Sequence, residues 1–171
     1  MTAATIILTL VTLQRLGELV LSRRNTSRLL KRGAIEAGAG HYPLLVVLHG
    51  AWLIALWISG WDQEVNWPAL AAFAVLQSLR LWVLLSLGSR WTTRIIVLPG
   101  APLITKGPYR YLSHPNYAIV AGEIALLPLA LNLPWLALLF AVLNGIALLV
   151  RIRTEARALA ALSGSLARTT P

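Results

Sequence analysis

The 171-residue chain has no cysteine, only three histidines and only six acidic residues. Without cysteine there is no disulfide, no thiolate metal site and no cysteine nucleophile. With so few carboxylates and imidazoles the ligand supply for a metal ion is poor. His41 and His49 stand eight residues apart, which on a helix is about 12 Å along the axis, too far to share one ion. Charge is also scarce, at 12% of residues, where a soluble domain carries about 25%. No basic stretch is interleaved with aromatics as a nucleic-acid face requires. No strand–glycine-loop–helix fingerprint for a dinucleotide is present, and there is no internal repeat or low-complexity linker.

What remains is apolar: 57% of residues are hydrophobic and the mean hydropathy is +0.71. The composition predicts a membrane protein. Apolar segments lie at about 2–21, 42–60, 67–87, 117–131 and 135–150. Spans of roughly 20 residues use over half the chain, so one membrane-embedded domain over 1–171 is expected. The first segment has no basic residue before it and no clear small-x-small cleavage site, so it reads as a retained helix. The last two are short and joined by Asn132–Pro134, as in a tight helical hairpin, and Pro128 should bend or end the fourth early. Apolar Ile152, Leu159, Leu162 and Leu166 predict an amphipathic tail helix over 151–171. The fold class expected is thus all-α and polytopic, with about five transmembrane helices.

The charges sort by connection. Thirteen of the fifteen basic residues lie between segments one and two, between three and four (88–116), or after five. The other two connections have none. The positive-inside rule then puts the N-terminus outside and the C-terminus in the cytoplasm. The formal charge of +9 needs no nucleic-acid partner.

Arg15, Glu18, Arg80 and Glu123 fall inside apolar segments. Each costs roughly 2.5–3.5 kcal/mol at a helix centre, so they must face one another or a polar cavity. Arg15 and Glu18 share a helix face, while Arg80 and Glu123 can pair across the bundle. Internal pairing and a polar pocket wall are both open readings. Tyr42 and His41 fit an interfacial belt.

The stretch "GPYRYLSHPNY", Gly107–Tyr117, concentrates polar and aromatic groups just before the fourth segment. Gly107-Pro108 reads as a turn. Pro115 suits a first helical turn, with Ser113 or His114 near the N-cap. A helix N-terminus there, beside Arg110 and His114, favours an anion; a juxtamembrane turn with interfacial tyrosines is the plainer reading. In "RIRTE", Arg151 and Glu155 are four apart and share a helix face. An antiparallel hairpin sets them opposite His114, Asn116 and Tyr117 at the cytoplasmic face.

This motif pair resembles the isoprenylcysteine carboxyl methyltransferase superfamily, whose pattern is roughly G-x-Y-x-x-x-R-H-P-x-Y followed by R-x-x-x-E-E. "QRLGELVLSRRN", "HYPLLVVLHGAWL" and "WTTRIIVLPG" are similar to its short bacterial members, some of which methylate hydroxyls of alkylresorcinols and alkylpyrones. The resemblance implies a bacterial inner (plasma) membrane location and S-adenosyl-L-methionine as donor. Carried over by position, the donor contacts are Pro102, Leu103 and Ile104 of the Ala101–Ile104 stretch, Tyr109, His114, Pro115, Asn116, Tyr117 and Glu155, with Arg94 a further one. Arg151 would face a lipophilic acceptor, and Arg151 and Glu155 would carry the catalysis. Three positions depart from the pattern: Ser113 replaces the arginine before His-Pro, Ala156 the second glutamate, and Ala101 a frequent histidine. The clamp on the donor carboxylate then falls to another group, such as Arg110 or Arg94.

Methyl transfer turns an oxygen anion and a sulfonium into neutral products, so a dry, well-aligned site helps. An ionised carboxylate or acidic enol needs no base; a phenol does, and no residue suggests itself for that role from sequence. A phospholipid-type N-methyltransferase shares the His-Pro and Glu-Glu elements. An NADPH-dependent sterol-type reductase shares the first motif but calls for more cations. A non-catalytic membrane subunit or transporter lacks the repeats or helix breaks that transport suggests.

Overall fold

The computed structural model of the chain describes residues 1–102 and 104–168, excepting the side chains of His41 and of residues 158–168. Helix α1 (Ala3–Lys31) starts at Thr2, whose hydroxyl accepts from the Thr5 amide. It continues ten residues past the apolar stretch. The reason is local: no proline or glycine breaks Ser22–Lys31, and Gly33 in the left-handed region (φ 84°) ends it. At 29 residues the helix is about 43 Å long, against a hydrocarbon thickness of about 30 Å. The polar surplus is put to use: the Asn25 amide donates to the Gly88 and Trp91 carbonyls, and Ser22 bonds Thr93.

Strand β1 (Ile35–Ala37) follows, then α2 (Tyr42–Gly60) and α3 (Trp67–Leu87), capped by the Asn66 side chain. Strand β2 (Ile95–Val97) pairs antiparallel with β1, Ile35 opposite Val97 and Ala37 opposite Ile95. Among the described residues this two-stranded sheet is the one departure from an all-helical reading, and it clips together two basic connections. Helix α4 (Pro115–Ala130) contains Pro128, whose carbonyl accepts from the Leu131 and Leu133 amides. With Asn132 left-handed (φ 54°), these bonds turn the chain into α5 (Pro134–Arg168). The expected fifth span and tail are one continuous helix, because no breaker intervenes. Side chains of the tail beyond Arg157, including Leu159, Leu162 and Leu166, are outside the described residues.

Among the described residues, four helices are long and apolar enough to cross a membrane: α1, α2, α3 and α5. Helix α4, at 16 residues, is shorter and lies against α3 and α5. The core joins Leu8, Trp52, Leu56, Phe73, Leu127 and Phe140 from all five helices. The outer surface is apolar too: Leu10, Leu13, Val47, Ile58, Leu85 and Leu138 are mostly exposed. Water does not tolerate so large an apolar surface, whereas lipid does. Polar ties close the end away from the basic connections. Thr2 and Thr5 donate to the Trp61 carbonyl, the Asn66 amide to Ala130, and the Asn132 amide to Glu64.

Candidate active site

At the other end, the α4–α5 hairpin brings the two sequence motifs together. Pro115 starts α4, and His114 sits at its N-cap without a side-chain capping bond. Two residues on, the Tyr117 hydroxyl donates to Glu155 Oε2 at 2.6 Å and accepts from Arg151 Nε at 2.9 Å. The Arg151 guanidinium lies 5.2 Å from the Tyr117 ring centroid. On the other side His114 stacks on Tyr117, centroids 5.1 Å apart, with Nδ1 3.7 Å from Glu155 Oε2. Tyr117 is thus the hub, holding one cation and one anion by opposite roles of a single hydroxyl. Asn116 beside it buries Oδ1 with no hydrogen-bond partner among the described residues. A buried acceptor left open is costly unless a ligand or water fills it.

Tyr109 follows from the short helical turn Gly107–Arg110 and packs against the cluster of Val83, Trp91 and Ile119. Burial, with the Glu155 charge second, pushes its phenol up to about 12, so it stays neutral at ordinary pH. Gly107 takes φ 61°, and a Cβ there would meet Ser86 Oγ at 2.1 Å.

Inward from Arg151 and Tyr117 runs a cavity of about 310 Å³. Its polar floor is the set of intramembrane charges. Arg80 bonds Glu18 through Nε at 2.5 Å and Glu123 through Nη1 at 2.7 Å. Arg15 reaches Glu18 at 3.1 Å and Glu123 at 3.0 Å. Gln77 joins Gln14 to Glu123. Two arginines and two glutamates from α1, α3 and α4 therefore close one neutral network. They pair internally and also line the cavity, so the two open readings coexist. Leu16, Leu19, Leu45, Val46, Leu53 and Leu148 supply apolar wall.

Other expected residues are placed apart from the hub. Arg94 holds Glu36 at 2.9 Å and covers the Tyr42 ring at 4.5 Å. Its pKa is raised first by that hydrogen bond to Glu36. The Pro102 carbonyl accepts from Arg90, and Ile104 is half-buried in the same loop. Leu103 is outside the described residues. Tyr42, expected in an interfacial belt, bonds Thr93 and lines the cavity, because α2 turns that face inward. Sequence reasoning missed His49 and Tyr42 as cavity residues. The signal was available: 42, 45, 46, 49 and 53 recur on one face of α2.

A helical membrane protein with a tyrosine-centred ionic site at the mouth of an apolar cavity is the class these features define. More specifically, the chain belongs to the isoprenylcysteine carboxyl methyltransferase (ICMT) family, whose profile matches residues 69–161. It is 37% identical to an uncharacterized protein, YpbQ, of Bacillus subtilis (strain 168), over 159 residues covering 90% of this chain and 95% of that one. It is 28% identical to an uncharacterized protein of Haemophilus influenzae over 153 residues, 85% of this chain and 88% of that one. No solved structure matches it. The family is one of membrane methyltransferases, and its members use S-adenosylmethionine. The matched region runs from α3 through the hairpin and takes in Tyr117, Arg151 and Glu155.

Proposed function

We propose that the chain is an S-adenosylmethionine-dependent O-methyltransferase acting on a lipophilic acceptor, a polyketide-type hydroxyl rather than a prenylcysteine carboxylate. The observation that carries this is the Tyr117 hub, which joins Glu155 and Arg151 while Tyr117, Asn116 and Arg151 also line the cavity. One set of residues thereby touches both a polar mouth and an apolar interior. The residues present suit the donor. Glu155 and the open Asn116 Oδ1 accept from amine or ribose hydroxyls, and the α4 N-terminus, uncapped by His114, offers N–H groups to a carboxylate. When bound, the donor supplies a methyl group on a cationic sulfur. The chain's own groups orient and exclude. Arg151, tied to Tyr117 by Nε alone among the described hydrogen bonds, has its remaining N–H groups to hold an acceptor oxygen and favour its anion. The leucine walls keep water from the reacting atoms.

The basic connections support a site on the cytoplasmic side of the inner membrane, where the soluble donor is found. The acceptor enters the cavity from the bilayer. Thermal shift of the purified protein tests the reading. S-adenosylhomocysteine should stabilise it and NADPH should not; stabilisation by NADPH alone would sink the proposal.

A further inference from the structure

Of the titratable side chains lining the cavity among the described residues, Tyr42 and His49 are engaged by neither the ionic network nor the Tyr117 hub. The His49 Nδ1 lies 2.8 Å from the Leu45 carbonyl oxygen. A carbonyl only accepts, so Nδ1 carries the hydrogen, and in the neutral ring Nε2 carries the lone pair. Among the described residues Nε2 has no hydrogen-bond partner. The other ionisable groups lining the cavity come from every helix: Arg15 and Glu18 of α1, Tyr42 of α2, Arg80 of α3, Tyr117 and Glu123 of α4, and Arg151 of α5. The glutamates are taken up by Arg15 and Arg80. Tyr117 is spent between Glu155 and Arg151, and Tyr42 bonds Thr93.

Depth agrees with the role. His49 is seven residues into α2 from Tyr42, about 10 Å along the axis. Arg80 is seven residues from the end of α3 and Glu123 eight from the start of α4. The imidazole thus shares one cavity with Arg80, Glu123 and Arg151, at a helix count close to those of Arg80 and Glu123. A carboxylate acceptor arrives ionised and has no use for such a nitrogen. A hydroxyl arrives protonated and does.

We infer that His49 is the general base that takes the proton from a lipophilic hydroxyl acceptor held in this cavity. This rests on the methyl-transfer reading above. The acceptor O–H proton passes to His49 Nε2 as the oxygen lone pair forms the new O–CH₃ bond. The C–S bond of the donor sulfonium breaks, and its electron pair stays on sulfur as a neutral thioether. The imidazolium then releases its proton to solvent. Arg151 holds the oxygen during the transfer.

The test uses the intact protein in lipid nanodiscs with S-adenosylmethionine. Three acceptors share one alkyl chain: an alkylphenol, an alkylnitrophenol that is ionised near neutral pH, and an alkanoic acid. Wild type should prefer the alkylphenol to the alkanoate. His49→Asn keeps an N–H for the Leu45 carbonyl and loses the base. It should slow alkylphenol methylation by roughly 10²–10⁴-fold, with most of the loss restored on the nitrophenol. S-adenosylhomocysteine affinity should match wild type. Without donor, absorbance of bound nitrophenol should show its phenolate at lower pH in wild type than in the variant. Equal losses on the phenol and the nitrophenol, or no loss on the phenol, would overturn the assignment. A wild-type preference for the alkanoate overturns it without any variant, so poor folding of His49→Asn leaves the test intact. Wild type that neither binds S-adenosylhomocysteine nor methylates any acceptor overturns the underlying methyltransferase reading, and this inference with it.

Discussion

The Tyr117 hydroxyl has one hydrogen to give and gives it to Glu155, so its acceptance from Arg151 fixes which charge sits on which side. That asymmetry separates the roles of the two α5 residues. Replacing Glu155 with Gln removes the anion but keeps the size, and a hydrogen bond to a charged group is worth about 1.5–3 kcal/mol. Glu155→Gln should therefore weaken S-adenosylhomocysteine binding at least about tenfold. Arg151→Ala should leave that binding intact and remove turnover. Titration calorimetry and a methyl-transfer assay on both variants decide this, and normal turnover in both would place the site elsewhere. Much of this cluster was legible in the sequence, because His114, Tyr117, Arg151 and Glu155 occupy two motifs that a hairpin must bring together. The Asn116 orphan and the lone pair of His49 were not legible. Each depends on which neighbour a side chain finds, and spacing does not specify that.

Helices here are shaped by what lies at their ends. Helix α1 outlasts the bilayer because Ser22–Lys31 has no breaker, and its surplus turns brace the Gly88–Thr93 segment through Asn25 and Ser22. The turn that leads to α4 depends on Gly107. Its φ of 61° and the 2.1 Å approach of a hypothetical Cβ to Ser86 Oγ both demand the missing side chain. Gly107→Ala should cost about 1–2 kcal/mol from the left-handed backbone, plus the clash. Ser86→Ala in the same chain should relieve the hydroxyl clash and leave the backbone cost. Thermal melts of the single and double variants measure the split, and equal stability of Gly107→Ala and wild type refutes it. The sequence marked Gly107-Pro108 as a turn, yet the partner that makes glycine necessary comes from α3.

Across the whole molecule the buried charges act as one unit. Arg15, Glu18, Arg80 and Glu123 come from three helices and balance to zero, with Arg80 bonded to both glutamates. Removing one partner of a buried pair strands the other charge, at about 3–5 kcal/mol. Arg80→Met should lower stability by that amount, and adding Glu18→Gln should recover part of it. Unfolding in detergent of the single and double variants checks the coupling; additive losses would show four independent groups. The same network fixes the register of α1, α3 and α4 and so gives the cavity its shape. It also explains why these four residues are tolerated among leucines.

Composition alone determined that this chain sits in a membrane, since so little charge and so much leucine, alanine and valine leave few other solvents for it. Periodicity and proline placement determined most helix limits, because those are local preferences of the backbone. The tertiary structure decided which polar groups meet. It joined two expected ion pairs into a quartet, drew Tyr42 and His49 inward, and paired β1 with β2 across sixty residues of chain. Those outcomes depend on helix rotation and tilt, which are set by packing between elements distant in sequence.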